Sequence, residues 1–332
     1  HQIVAEFTAS KLQLKAQLTG GFKGLVWQGL MQRLSVKPFN QAAFLLKTPV
    51  DLQVSQDRVS QGTPLCLQQQ RQFVCLQGNW QASKGWQVDL TSSPFNLTPW
   101  QFLMPDEWRL AGVVQTEIHL KGQKGLMPQG QVQMTAKRLN VDYRHLKTAF
   151  HFPIGALTLK ADLNPRVTKA TLVIDGALGH VVGDFSLPDW QQILNDWHKQ
   201  AITGTFKGQF LAKTLAPFVA PQLEGLQGDI SVQADIKGDF EKPRILLDGQ
   251  LKNAQARLPD YNISLKPLDL RVSGDPLDQL AVTGRVQSGP GTVLVKGVID
   301  QLTQNPRVQL QFKGQRFLAS HLASYEVLIS PD

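Results

Sequence analysis

Apolar and polar residues take turns along most of this chain. From Gly228 to Gly238 the even positions carry Gly228, Ile230, Val232, Ala234, Ile236 and Gly238. The odd positions carry Asp229, Ser231, Gln233, Asp235 and Lys237. A period of two puts one set of side chains on each face of a β-strand. At about 3.3 Å per residue such a stretch spans roughly 35 Å, which is long for a strand. The same plan occurs 116 positions earlier, from Gly112 to Gly122, where Val114, Thr116, Ile118 and Leu120 alternate with Gln115, Glu117, His119 and Lys121. Pro105 and Pro221 each stand seven residues before the first glycine of their stretch. One unit used at least twice is the mark of a stacked, elongated protein.

Shorter alternating runs fill the rest. They begin at Leu12 to Leu18 and continue through Leu46 to Val54, Trp80 to Leu90, Gly130 to Ala136, Leu157 to Leu163, and Gly204 to Phe210. Later ones are Ile245 to Leu251, Leu268 to Val272, Leu280 to Val286, Thr292 to Ile299 and Val308 to Gly314. Marked turns such as Gly274 to Pro276 and Ser288 to Gly291 separate them, which predicts an antiparallel meander. Three interruptions predict short helices, near 99–105 with Thr98 as cap and Pro99 in the first turn, near 189–199, and near 214–220. Trp190, Ile193, Leu194 and Trp197 make the second of these amphipathic, suited to covering an edge or end of the sheet. The fold class is all-β, an elongated and curled antiparallel sheet with one apolar face turned into a concave groove. The aromatic girdles of a membrane barrel are not laid out along these strands.

Composition sharpens this picture only a little. Over 332 residues, 42% are hydrophobic and 18% charged, which excludes a disordered chain. The net charge of +8 could suit nucleic acid or anionic lipid, but the basic residues are spread singly along strands, as on solvated faces. No run of eighteen apolar residues and no signal peptide occurs. The chain opens mid-pattern and ends at Ser330–Asp332 straight after a strand-like run, so it is expected to be a piece of a longer polypeptide whose membrane anchor lies outside it. One continuous groove over 1–332 is expected, with sub-units at about 1–105, 106–220 and 221–332. Cys66 and Cys75 suit a disulfide across a hairpin, or else a pair of buried thiols; a bridge would require an oxidising compartment.

The apolar side is the informative one. It could pack as a dry core. The alternation persists from residue 12 to residue 314 with few charged residues on this side, glycines recur on it (Gly208, Gly238, Gly249, Gly284, Gly314) and are expected to leave room beneath them, and no helix large enough to fill a trough is predicted. A trough left open needs an occupant. Each buried methylene is worth about 0.8 kcal/mol, so a sixteen-carbon tail exposed to water forgoes on the order of 12 kcal/mol. An acyl chain therefore suits a lane with almost no polar anchors. The lane positions are Val114, Ile118, Leu120, Ile230, Val232, Ala234, Ile236, Leu247, Leu251, Leu270, Val282, Val286, Val308, Leu310 and Phe312.

Pro221 with Gly228, the strand to Gly238, Pro243, Gly249, the turn near Leu258 and Pro259, the segment Arg285 to Gly289, and the terminal Ser330 to Asp332 resemble the TamB family. This is an AsmA-like group of bridge-like lipid transfer proteins, to whose central region Cys66, Cys75 and Trp80 are also similar. The resemblance is strongest over 215–332 and present over 60–125. It implies a periplasmic "β-taco" groove in a Gram-negative protein held to the inner membrane by an upstream anchor. It also implies phospholipids as cargo and an Omp85-type outer-membrane barrel, TamA, as partner through regions outside this chain. An older reading of that family, as assembly factors for outer-membrane proteins, implies β-augmentation of nascent strands instead.

Enzyme signatures are missing: there is no Gly-x-Ser-x-Gly, P-loop, zinc-protease or dinucleotide motif. His145 and His151 suit neither a helix face nor a metal pair, and Asp229, Asp235, Asp248 and Asp269 fall on the polar parity of their strands. A polysaccharide-active β-helix is the enzyme alternative, and it would need two carboxylates facing across a cleft. Nucleic-acid binding lacks interleaved aromatics to stack bases. The reading is a non-enzyme with no cofactor and no metal.

Overall fold

The computed structural model describes residues 2–9, 12–38, 42–105, 107–145, 148–177, 179–188, 196–215, 223–300, 307–322 and 325–332. Every strand pairing among them is antiparallel. The chain divides into two compact units, His1–Ala177 with Leu187–Asp196, and Leu178–Ser186 with Trp197–Asp332.

Unit 1 begins with β1 (Gln2–Ala9), β2 (Leu12–Lys23) and β3 (Val26–Pro38). β1 is a strand missing from the sequence reading. The sheet then forks. The end of β3 pairs with β4 (Phe44–Leu46), which pairs with β7 (Leu65–Gln69). The start of β3 pairs with β5 (Val50–Val54), which pairs with β6 (Arg58–Gln61). Both branches rejoin on β8 (Gln72–Gln81), followed by β9 (Gly85–Ser92). β11 (Trp108–Gly122) takes β9 on one half and the short β10 (Phe95–Asn96) on the other. β12 (Gln129–His145), β13 (Thr148–Leu163) and β14 (Val167–Gly176) complete the unit. Backbone N–H groups left over at such splits still need partners. Side chains supply them: Ser92 Oγ accepts from Thr116 N at 2.8 Å, and Gln101 Oε1 from Leu110 N at 2.9 Å.

Unit 2 is a plain meander. It contains most of β15 (Gly179–Pro188), then β16 (Thr203–Leu211), β17 (Glu224–Gly238), β18 (Pro243–Leu258), β19 (Ile263–Gly274), β20 (Gln279–Ser288), β21 (Gly291–Asp300) and β22 (Arg307–Gln315). Each strand pairs with the next. A separate hairpin, β23 (Phe317–Leu322) with β24 (Tyr325–Ile329), is fastened where the buried Ser288 hydroxyl donates to Leu318 O at 2.7 Å.

The longest strands are bent, and their bends line up. In unit 1 the register slips at Gly112 (φ 151°) opposite Arg138 (φ 52°), and again at Gly155 (φ 86°). In unit 2 it slips at Gly228 (φ 127°) opposite Asn253 (φ 50°), then between Leu265 and Leu268. A bulge bends its strand and raises local twist. Bulges in register across neighbouring strands therefore crease the sheet into two arms. The apolar parity changes at the crease: Leu247, Gly249 and Leu251 point inward before Asn253, and Ala254 and Ala256 after it. The buried clusters sit at these creases. Val114 and Ala136 meet Leu139 in unit 1, while Leu226 and Ala256 pack with Ile230 and Leu251 in unit 2.

The interruptions are 3₁₀ turns. Thr98–Leu103 has Pro99 in its first turn, but its cap is Leu97, and Asn96 Oδ1 accepts from Thr98 N at 2.9 Å. Thr98 is thus inside the turn, and its N–H is held by the short side chain two residues back. Of the other two predicted helices, residues 189–195 and 216–222 lie outside the described residues; the described flanks are the 3₁₀ turns Trp197–Lys199 and Ala212–Leu215.

Candidate functional site

In unit 2 the predicted lane residues share one face, and register joins them into rows that cross all eight strands. One row runs Val181, Gly208, Val232, Gly249, Val272, Val282, Gly297, Leu310. A second runs Gly179, Phe210, Ile230, Leu251, Leu270, Gly284, Val295, Phe312. A third runs Gly183, Phe206, Ala234, Leu247, Gly274, Leu280, Ile299, Val308. None of the three contains a polar side chain. At about 4.8 Å between strands, an apolar floor eight strands wide measures roughly 34 Å. Ile236 and Val286 lie on the same face, opposite Ile245 and Val293 respectively. In unit 1, Ile118 and Leu120 lie beside Leu90 and Val88 on one side and Val132 and Gly130 on the other, and Val114 beside Ala136.

Val181, Phe206, Phe210, Ile245, Val272, Leu280, Val293, Val295 and Ile299 share this face too and were left out in sequence reasoning, although the same alternation marks them. Sequence reasoning also misjudged the glycines, which do not leave hollows. A Cβ on Gly208 would meet the Phe210 ring at 2.6 Å, and one on Gly284 would meet Leu270 Cδ2 at 2.4 Å. Large neighbours lie flat over these glycines, as aromatic residues do in strands. Gly249 is the exception, with nothing nearer than 3.8 Å. The outcome is a smooth floor.

The floor is only partly covered. Ala234 and Val282 are buried at 6% and 7% exposure, but Ile230, Val232, Ile236, Leu247, Leu251, Leu270 and Val286 are half-buried. On β22 the lane comes into the open: Val308, Leu310 and Phe312 are 58%, 40% and 47% exposed. Among the described residues β22 pairs with β21 alone.

The opposite face is mostly polar, with Leu246 and Leu294 exposed among its charged residues. Arg271 grips Asp248 through two hydrogen bonds of 3.0 and 2.8 Å, and this guanidinium holds the Asp248 carboxyl below the usual carboxylate range. His119 lies between Glu117 (3.0 Å) and Asp89 (2.7 Å), which raise its pKa. Cys66 and Cys75 stand directly opposite on β7 and β8 and form a disulfide. Among the described residues no three His, Cys, Asp or Glu side chains are grouped to hold a metal, and no helix is long and apolar enough to cross a membrane.

The family model described as "TamB, N-terminal domain" matches residues 1–253, three quarters of the chain. The chain belongs to the TamB family. Membership places it in the Gram-negative envelope, in a family of transport and assembly modules. No curated protein and no solved structure matches this TamB-family chain. The match covers 60–125, where the resemblance was present, and also 1–59 and 126–214, where it was weak. Most of 215–332, where the resemblance was strongest, lies beyond it.

Proposed function

We propose that this TamB-family chain is a conduit. Its apolar face carries phospholipid acyl chains through the periplasm between inner and outer membranes, as one stretch of an envelope-spanning bridge. Its upstream continuation anchors it in the inner membrane, and regions outside it meet the TamA barrel. The observation that supports this reading is the set of three unbroken apolar rows across unit 2, most of whose members are only partly buried and whose β22 members are exposed. A dry core would bury them, and a docking pocket would present a few polar anchors. The lane does neither. Sixteen-carbon tails are relieved of most of about 12 kcal/mol of exposure while remaining free to slide.

The test is Leu310→Asp, with Ile230→Arg, in the full-length protein. Leu310 is 40% exposed, so a charge there is expected to cost under about 1 kcal/mol of stability. Phospholipid that co-purifies with the wild type, read by native mass spectrometry, should fall several-fold in both variants. A folded Leu310→Asp protein that retains its lipid and its inter-membrane transport removes the conduit.

Among the described residues no second strand pairs with β22, whose outer edge is met only at its end, where Gly314 N donates to Pro331 O at 2.9 Å; this favours a second reading, an assembly factor that offers the edge to a nascent outer-membrane strand. Photo-crosslinkers separate the two. Probes at Val232 capture lipid if the lane is the site, and probes at Gln311 capture protein if the edge is.

A further inference from the structure

Unit 1 contains an open-sided cavity of about 350 Å³ where the 3₁₀ turn Thr98–Leu103 crosses the apolar face. Its floor is lane: Val74, Leu90 and Ile118 from β8, β9 and β11. Its roof is the turn, with Trp100 and, just past it, Met104. Trp100 is propped by two rings, Phe44 at 5.2 Å and Phe95 at 6.3 Å, and Phe44 is itself fully buried. The volume lies within the range of about 300–1,000 Å³ usual for small-molecule sites.

The chemistry of the walls narrows the occupant. Two of the polar residues that reach the cavity are already engaged with backbone. Ser92 Oγ accepts from Thr116 N, and Gln101 accepts from Leu110 N while its amide donates to Trp108 O. Water held in a cavity wants two to four polar partners, and few remain. A headgroup would find no charge among the lining residues. The counterpart turn in unit 2, Ala212–Leu215, presses a fully buried Ala212 against Leu226 and Ala256. In unit 1 a tryptophan supported from behind takes the place of that close contact.

The geometry points to a site for one acyl chain beneath this turn, with Trp100 as the side chain that lies against the tail. The inference rests on the conduit reading and adds a roofed station to it, where a tail is enclosed while its headgroup stays outside. Met104, at the exposed margin of the roof, marks the mouth.

The test uses the full-length protein with vesicles of phosphatidylethanolamine and phosphatidylglycerol, some of whose acyl chains are brominated at mid-chain. Bromine quenches indole emission on contact. The wild type should be quenched, and Trp100→Phe, which keeps a ring between Phe44 and Phe95, should lose the larger part of that quenching. Leu110→Phe, which narrows the cavity from a lining residue outside the lane positions, should abolish lipid capture by a photo-probe at Met104 and spare capture by a probe at Val232. Quenching unchanged in Trp100→Phe overturns the station. So does lipid captured at Val232 but never at Met104 in the wild type, a result that leaves the conduit standing. Capture at neither position overturns both.

Discussion

The two units solve the same bending problem and then diverge. Each creases its long strands by setting a glycine opposite a non-glycine residue in the left-handed region: Gly112 against Arg138 in unit 1, Gly228 against Asn253 in unit 2. Each packs its small buried cluster at that crease. Unit 2 then presents a uniform floor of eight consecutive strands. Unit 1 breaks its sheet into two branches between β3 and β8, staples one branch with a disulfide, and roofs the face with Trp100. The crease is thus a backbone device that both units require, and the cover over it is free to vary. That division suits the proposed conduit, in which the bend would set the cross-section and the cover would set how enclosed a passing tail becomes.

The largest effect should come from filling a crease glycine. A Cβ on Gly228 would sit 2.7 Å from Ala254 Cα at a φ of 127°, whereas one on Gly112 would sit 3.0 Å from Leu139 Cα at 151°. Strain at a positive φ and overpacking each cost about 1–3 kcal/mol. Gly228→Ala is expected to destabilise unit 2 by about 3 kcal/mol, and Gly112→Ala to destabilise unit 1 by about 1–2 kcal/mol. Hydrogen exchange in β17 and β18 against β11 and β12 reads the two separately. Equal losses, or a loss spread over both units, would show that the creases are not local devices.

Next in size is the disulfide, which only unit 1 has among the described residues. Cys66 and Cys75 are nine apart in sequence, and closing a loop of that length is worth about 2–3 kcal/mol by the chain-entropy estimate. Replacing both by serine should lower the protection of β7 and β8 by roughly this amount, and unit 2 should not respond. A matching drop in β20 and β21 would mean that the fork is not the separately fastened region its pairing indicates.

How much of this was legible beforehand depended on the length of each alternating run. The apolar face of unit 2 was readable because Ile230 to Ile236 and Leu280 to Val286 keep strict alternation, and register follows once turns are short. The fork was not, because β4, β6 and β10 span two to four residues, too few for a period to register. β1 was missed although Ile3, Ala5 and Phe7 alternate with Val4 and Glu6, since Val4 breaks the polar set. The crease had a signal that went unused. In Leu247, Gly249, Leu251, Ala254, Ala256 the inward set slips by one residue at Asn253, and asparagine is a residue that tolerates the left-handed region. Arg138 gives no such hint. The room imagined beneath the glycines failed for a different reason, because sequence alone does not reveal that Phe210 folds back over Gly208.

The smallest expected effect separates the units by pH. On the polar face of unit 1, Glu117 and then Asp89 raise the pKa of His119. A raised pKa contributes stability that is complete below the unfolded value of about 6.5 and fades as pH climbs through the folded one. In unit 2, Arg271 lowers the pKa of Asp248, so that contribution is present above an unfolded value of about 3.9 and is lost only as pH falls through the folded pKa. From about pH 5 to about pH 9, then, unit 1 should weaken slightly and unit 2 should not. His119 and Glu117 are about half exposed, so the change is at most a few tenths of a kcal/mol and shrinks with added salt. NMR titration of His119, together with exchange protection of β9 and β11 across the range, measures it. His119→Gln should flatten the dependence in unit 1. An unchanged slope in that variant would locate the proton elsewhere on the face.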